Sequence, residues 1–144
     1  MELHKLDDDL TVAPQITVED VAEAARAGFK TLVSNRPDGE GDDQPATDDI
    51  AQAARENGME WVYLPVQSGN VTDDDVEKFA PVLETASKPI LAFCRTGTRC
   101  STLWALSRAR QHNIDKLLQT ARAEGYDLGK QRERMLRLAA ERKG

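Results

Sequence analysis

An α/β fold is what this sequence predicts: a central, mostly parallel sheet of four to five strands with helices on both faces. Three observations carry that reading. The short runs "KTLVSN", "EWVYLPV" and "ILAFC" lack the strict polar–apolar alternation of a strand with one wet face, so they read as strands covered on both sides. Between them lie segments with apolar residues at helical spacing, so strand and helix alternate along the chain. Clusters of Pro, Gly and Asp separate the segments and mark the connections.

The chain opens on "LHKLDDDLTVA", which alternates around an Asp-rich turn and predicts a short hairpin. Thr17 then stands as the N-cap of a helix that carries Val18, Val21, Ala22 and Ala25 on one face, with Gly28 as its stop. "KTLVSN" is the next strand, and "RPDGEGDDQPA" has the composition of a loop. Thr47 or Asp48 is expected to cap the following helix, with Ile50, Ala53 and Ala54 on its apolar face and Gly58 at its end. After the strand "EWVYLPV" and the turn "QSGN", Thr72 caps a helix whose face is Val76, Phe79, Leu83 and Ala86. Pro89 opens the strand "ILAFC". Ser101 is read as opening a helix with Leu103 and Leu106, and Ile114, Leu117, Leu118 and Ala121 mark another that ends near Gly125. Residues 129–142 are expected to form a last, basic helix, and Trp61 and Trp104 to lie in the core.

At 144 residues, with 40% hydrophobic and 31% charged residues, the chain is expected to form one domain, residues 1–144, with a core of its own. No apolar run approaches the roughly 20 residues of a membrane span. The start, "MELHKLDDDL", is acidic and does not resemble a signal peptide, so a cytoplasmic location is expected. The net charge of −6 hides an asymmetry: residues 1–75 carry a net −13 and residues 76–144 a net +7. The positive half holds the stretch "FCRTGTRCS", residues 93–101. A positive field there attracts a small anion and favours a thiolate. Few aromatics and no recognised motif argue against a nucleic-acid partner.

The order strand, "CRTGTR", helix points unpaired backbone N–H groups, at the positive end of a helix dipole, into a loop. Cys94 stands at the mouth of that cradle, where a thiol normally near pKa about 8.5 is lowered by several units. Arg99 can present a planar fork to two anionic oxygens, and Arg95 supplies a second charge. Thr96, Gly97 and Thr98 contribute the curled backbone, with Gly97 at the position where a side chain would clash. The catalytic candidates are therefore Cys94 and Arg99, and the substrate is a small anion. With only Cys94 and Cys100 in the chain, a disulfide framework is not expected; Cys100 reads as a packed residue or a resolving thiol. His4 and His112 have no partner pattern, so neither a metal nor a cofactor is implied.

The chain resembles the phosphatase-like domain family of the beta-lactamase-hydrolase-like proteins of bacteria. The resemblance runs from "LTVAPQIT" through "GFKTLVSNRPDGE", "LPV" and "FCRTGTR" to "WAL", about residues 3–110. It implies a fold like that of the dual-specificity phosphatases. It also implies one of two chemistries, because members are assigned both to phosphatase-like activity and to sulfur transfer. Protein tyrosine phosphatases place five residues between their cysteine and arginine, whereas Cys94 and Arg99 are separated by four. "CRTGTR" in this respect resembles the loop of rhodaneses.

A phosphatase of this type needs an Asp to protonate its leaving group, on the loop after "EWVYLPV". Gly69 and Asn70 stand there, and Asp73, Asp74 and Asp75 follow in what reads as a first helical turn. Asp38, in the family-like stretch "NRPDGE", is a further candidate for the pocket, with Arg36 beside it. Sulfur transfer needs no acid. The first expectation is therefore a sulfurtransferase: Cys94 takes the outer sulfur of thiosulfate as a persulfide and passes it to a thiol such as glutathione. The alternative is a phosphatase acting through a cysteinyl-phosphate on a phosphate ester. A second alternative is a binding module for an anion or phospho-ligand, without turnover. The basic C-terminal segment, with Arg132, Arg134, Arg137 and Arg142, reads as a solvated face or a docking surface, and no protein partner is specified.

Overall fold

In the computed structural model, residues 1–141 are described. The elements follow as β1 (His4–Lys5), β2 (Leu10–Ala13), α1 (Val18–Arg26), β3 (Thr31–Ser34), α2 (Thr47–Glu56), β4 (Glu60–Tyr63), α3 (Asp73–Thr85), β5 (Ile90–Phe93), α4 (Thr98–Arg108), α5 (Ile114–Ala123) and α6 (Arg132–Glu141). The sheet order is β1-β2-β5-β3-β4. β1 pairs antiparallel with β2, and the other pairings are parallel. The sheet is mostly parallel and has five strands, within the four to five expected.

Side-chain alternation along the central strands divides the core in two. Leu32, Leu91 and Phe93 face α1 and α2, where Val21, Ala24, Ile50, Ala53 and Ala54 pack on them. Val33, Ile90 and Ala92 face the other way, onto Phe79 and Leu83 of α3, Leu103 and Leu106 of α4, Ala121 of α5 and Met135 of α6. Helices thus cover both faces, as the apolar strands require. Burying one such side chain contributes about 1.5–3 kcal/mol. No helix among the described residues is long and apolar enough to cross a membrane.

Several local expectations change. α4 begins at Thr98, inside the loop, because Gly97 adopts a left-handed φ of 92° and turns the chain directly into the helix. Neither Thr47 nor Asp48 caps α2: its N-cap is Ala46, without a side-chain cap. Instead the Asp38 carboxylate accepts from the Thr47 N–H at 2.9 Å, so a residue nine positions earlier satisfies an orphan donor of the first turn. Thr17 and Thr72 do cap α1 and α3, each in a capping box, with Asp20 and Asp75 respectively. β4 is shorter than "EWVYLPV". At the sheet edge Tyr63 is exposed, and Trp61 is partly buried against it, their rings stacked at 6.5 Å. Trp104 lies in the core as expected, its indole N–H donating to Asp7. The last helix starts at Arg132, after a 3-10 turn over Gly129–Gln131, and Arg142 lies outside the described residues.

Candidate active site

β5 ends at Phe93 in the middle of the sheet, and the next residue, Cys94, is fully buried. Its N–H donates to Ala13 O at 3.3 Å and Gln15 N–H donates to Arg95 O at 3.2 Å, which ties the start of the loop to β2. The chain then curls back on itself. Gly97 N–H donates to Cys94 Sγ at 3.1 Å, and the backbone N–H groups of Arg99 and Cys100 act on the same sulfur. The loop thus curls around the cysteine sulfur, with backbone N–H groups turned to it.

The Cys94 thiol is lowered to a pKa of about 5. The largest cause is a hydrogen bond from the Cys100 side chain, which outweighs the opposing effect of burial; the backbone donors and the Arg99 charge add to it. Burial and the neighbouring Cys94 push Cys100 well above its ordinary value, so it keeps its proton and acts as donor. Cys100→Ala removes that donor. Its expected result is an upward shift of the Cys94 pKa, read as the midpoint of iodoacetamide alkylation against pH. An unchanged midpoint would leave the lowering to the backbone and Arg99 alone.

Arg99 is also buried, and its fork is directed by a residue that local sequence patterns do not single out. Glu40, in the loop after β3, accepts from Arg99 Nη1 and Nη2, both at 2.8 Å, and from Arg36 Nε at 3.0 Å. Arg99 Nη1 also donates to Val66 O at 2.8 Å. A bidentate carboxylate fixes the guanidinium plane. It leaves Nε–H and the second Nη2 hydrogen for an anion. Glu40 is held below the ordinary carboxylate range, first by its hydrogen bond from Arg99, and Arg36 adds to this. Arg36 is buried and also donates to Gln15 Oε1 at 3.1 Å.

The loop is braced from behind by Tyr126, whose hydroxyl donates to Thr96 O at 3.0 Å. A Cβ at Gly97 would run into that hydroxyl, so close approach and left-handed backbone both require glycine here. Thr96 and Thr98 are exposed, their hydroxyls bonded to each other at 3.0 Å. Arg95 is exposed and lines a cleft of about 400 Å³ with Arg36, Glu40, Gly41, Asp43 and Ser68. A second cleft, of about 360 Å³, is lined by Thr98 and Arg99 together with Gly69, Asn70 and Arg134.

The aspartates singled out in the sequence are engaged elsewhere. Asp38 is turned to α2 and held below its ordinary value by the Thr47 N–H. Asp73 pairs with Arg134 at 2.8 Å and with Arg137, both on α6. Asp74 pairs with Lys78 and Asp75 closes the α3 capping box.

A low-pKa cysteine and an arginine thus share one loop, between the central strand and the next helix of a mostly parallel sheet. Residues 2–111 match the family described as beta-lactamase hydrolase-like protein, phosphatase-like domain, and the chain belongs to that family. A structure from Neisseria meningitidis, described as a "putative phosphatase", is 38% identical and superposes with a TM-score of 0.84 over 96% of this chain and 99% of that one. The structure of Tk-PTP in its active form is 17% identical, with a TM-score of 0.72 over 97% of both chains, and shows a shared fold. A beta-lactamase hydrolase-like protein from Xylella fastidiosa is 30% identical over 132 residues, 90% of this chain. The chain spans about 31% of the length of that relative.

Proposed function

We propose that this domain is a cysteine-dependent phosphatase that cleaves phosphate monoesters through a cysteinyl-phosphate on Cys94. The observation that carries this reading is the ionised sulfur: a thiol with pKa about 5 beneath converging backbone donors. The phosphatase-like family and the phosphatase names of its structural relatives support it. They fit this reading better than sulfur transfer, which loop length and the missing acid put first.

Cys94 thiolate attacks phosphorus and the bond to the ester oxygen breaks, with the leaving oxygen taking a proton. Water then attacks the phosphorus, releasing phosphate and restoring the thiolate. Backbone N–H groups of the loop and the free edge of Arg99 hold the equatorial oxygens, where charge is greatest in the transition state. Arg36 and Arg95 add positive potential at the rim. Asp38 serves by anchoring the loop that carries Glu40.

Sulfur transfer is the second reading, favoured by the four-residue interval from Cys94 to Arg99. There the thiolate attacks the outer sulfur of thiosulfate, the S–S bond breaks with sulfite leaving as an anion, and a thiol such as glutathione collects the persulfide sulfur. The test runs phosphate release from 4-nitrophenyl phosphate beside sulfite release from thiosulfate with glutathione. Phosphate release faster by at least about tenfold is expected, a margin of about 1.4 kcal/mol. The reverse order would install the second reading.

A further inference from the structure

We propose that Asp43 is the general acid of this site, giving its proton to the leaving oxygen of the phosphate ester. The assignment rests on the phosphatase reading and adds the group that reading lacks. Asp43 is an exposed carboxylate in the cleft that also contains Arg95, the residue next to Cys94. Among the described residues it makes no hydrogen bond or ion pair, and in this it differs from the other candidate carboxylates. Asp38, Asp73, Asp74 and Asp75 are each committed to a helix terminus or a cation. Glu40 lines the same cleft but lies between Arg36 and Arg99, which hold it ionised, so it has no proton to give.

The turn that carries Asp43 is built to hold it there. Gln44 accepts from Gly41 N–H at 2.7 Å through Oε1 and donates to Pro37 O at 3.0 Å through Nε2. Gly41 lets Arg36 pass beneath: a Cβ at Gly41 would lie 2.7 Å from Arg36 Nη2. Ser68, from the loop where phosphatases of this type carry their acid, faces the same cleft. The assignment requires that the leaving group of an ester held on the Cys94 loop enter this cleft, which Arg95 of that loop lines together with Ser68 and Asp43. In the first step the Cys94 sulfur–phosphorus bond forms, the ester P–O bond breaks, and the Asp43 proton moves to the departing oxygen to give the alcohol. In the second, the Asp43 carboxylate takes a proton from the water that attacks the cysteinyl-phosphate, which returns the acid and the thiolate. Arg36, Arg95 and Glu40 are the charged groups that share the cleft with Asp43.

The test compares two substrates that differ in their need for a proton. Phenolate is a poor leaving group that gains from a proton, whereas 4-nitrophenolate leaves readily without one. General acid catalysis contributes about 10²–10⁴-fold. Asp43→Asn is expected to slow phenyl phosphate by at least about a hundredfold and 4-nitrophenyl phosphate by less than about fivefold. The neighbouring Asp42→Asn should change neither substrate. Equal losses with both substrates, or no loss with phenyl phosphate, would overturn the assignment of Asp43 while leaving the phosphatase reading in place. A wild-type protein inert towards both esters would overturn that reading and the assignment with it.

Discussion

Cys94→Ser is expected to lower turnover by at least about a thousandfold, roughly 4 kcal/mol of transition-state stabilisation, without loss of the folded state. The thiol is ionised at pH values above about 5 because Cys100, the backbone donors and Arg99 favour the charged sulfur. A serine hydroxyl in the same place stays protonated, since the same donors fall far short of ionising an alcohol. The change is nearly isosteric in a buried site, so circular dichroism and the thermal midpoint should stay close to wild type. The sign of the pH dependence follows from the lowered value: wild-type kcat/KM rises as pH climbs through about 5 and is no longer limited by Cys94 above it. More than roughly a tenth of wild-type activity in the serine variant, under 1.4 kcal/mol of loss, would mean that another group is the nucleophile.

Arg99→Lys is expected to lower kcat by about 10- to 100-fold, or about 1.4 to 2.7 kcal/mol. An ammonium keeps the charge and loses the plane. In this site the plane is set from outside, by two bonds to Glu40 and one to the Val66 carbonyl, so lysine gives up the positioning as well as the fork. Glu40→Gln should reproduce part of the loss, because an amide offers Arg99 one acceptor where the carboxylate offers two. Steady-state kinetics that place lysine level with arginine would reduce Arg99 to a diffuse charge.

The cysteine, the curled loop and the helix dipole were legible in nine consecutive residues, because all three belong to one strand–loop–helix connection. The parallel sheet was legible because a strand buried on both faces must be apolar on both. What sequence did not reveal comes from segments that meet only in the folded chain. Glu40 stands in a stretch dense in turn-forming and acidic residues, where one more carboxylate has no pattern; its partner is 59 positions away. Tyr126 reaches back 30 positions to the Thr96 carbonyl from the connection after α5. The cap of α2 was misplaced for the same reason: a local hydroxyl was at hand, yet the loop delivered Asp38 instead. Cys100 is packed, one of the two readings its sequence position leaves open. Its role as donor to Cys94 depends on the first turn of α4 starting at Thr98, three residues earlier than a count from Ser101 implies.

The most direct test of the central claim, that Cys94 carries a phosphoryl group, is the mass of the intermediate. Wild-type protein mixed with 4-nitrophenyl phosphate and quenched in acid within milliseconds, then digested, should yield the peptide containing Cys94 with a gain of about 80 Da, absent from Cys94→Ser. The same peptide after thiosulfate should carry little of the gain of about 32 Da that a persulfide leaves. A peptide that takes up sulfur from thiosulfate and never phosphate from the ester would contradict the account and make this loop a sulfur carrier.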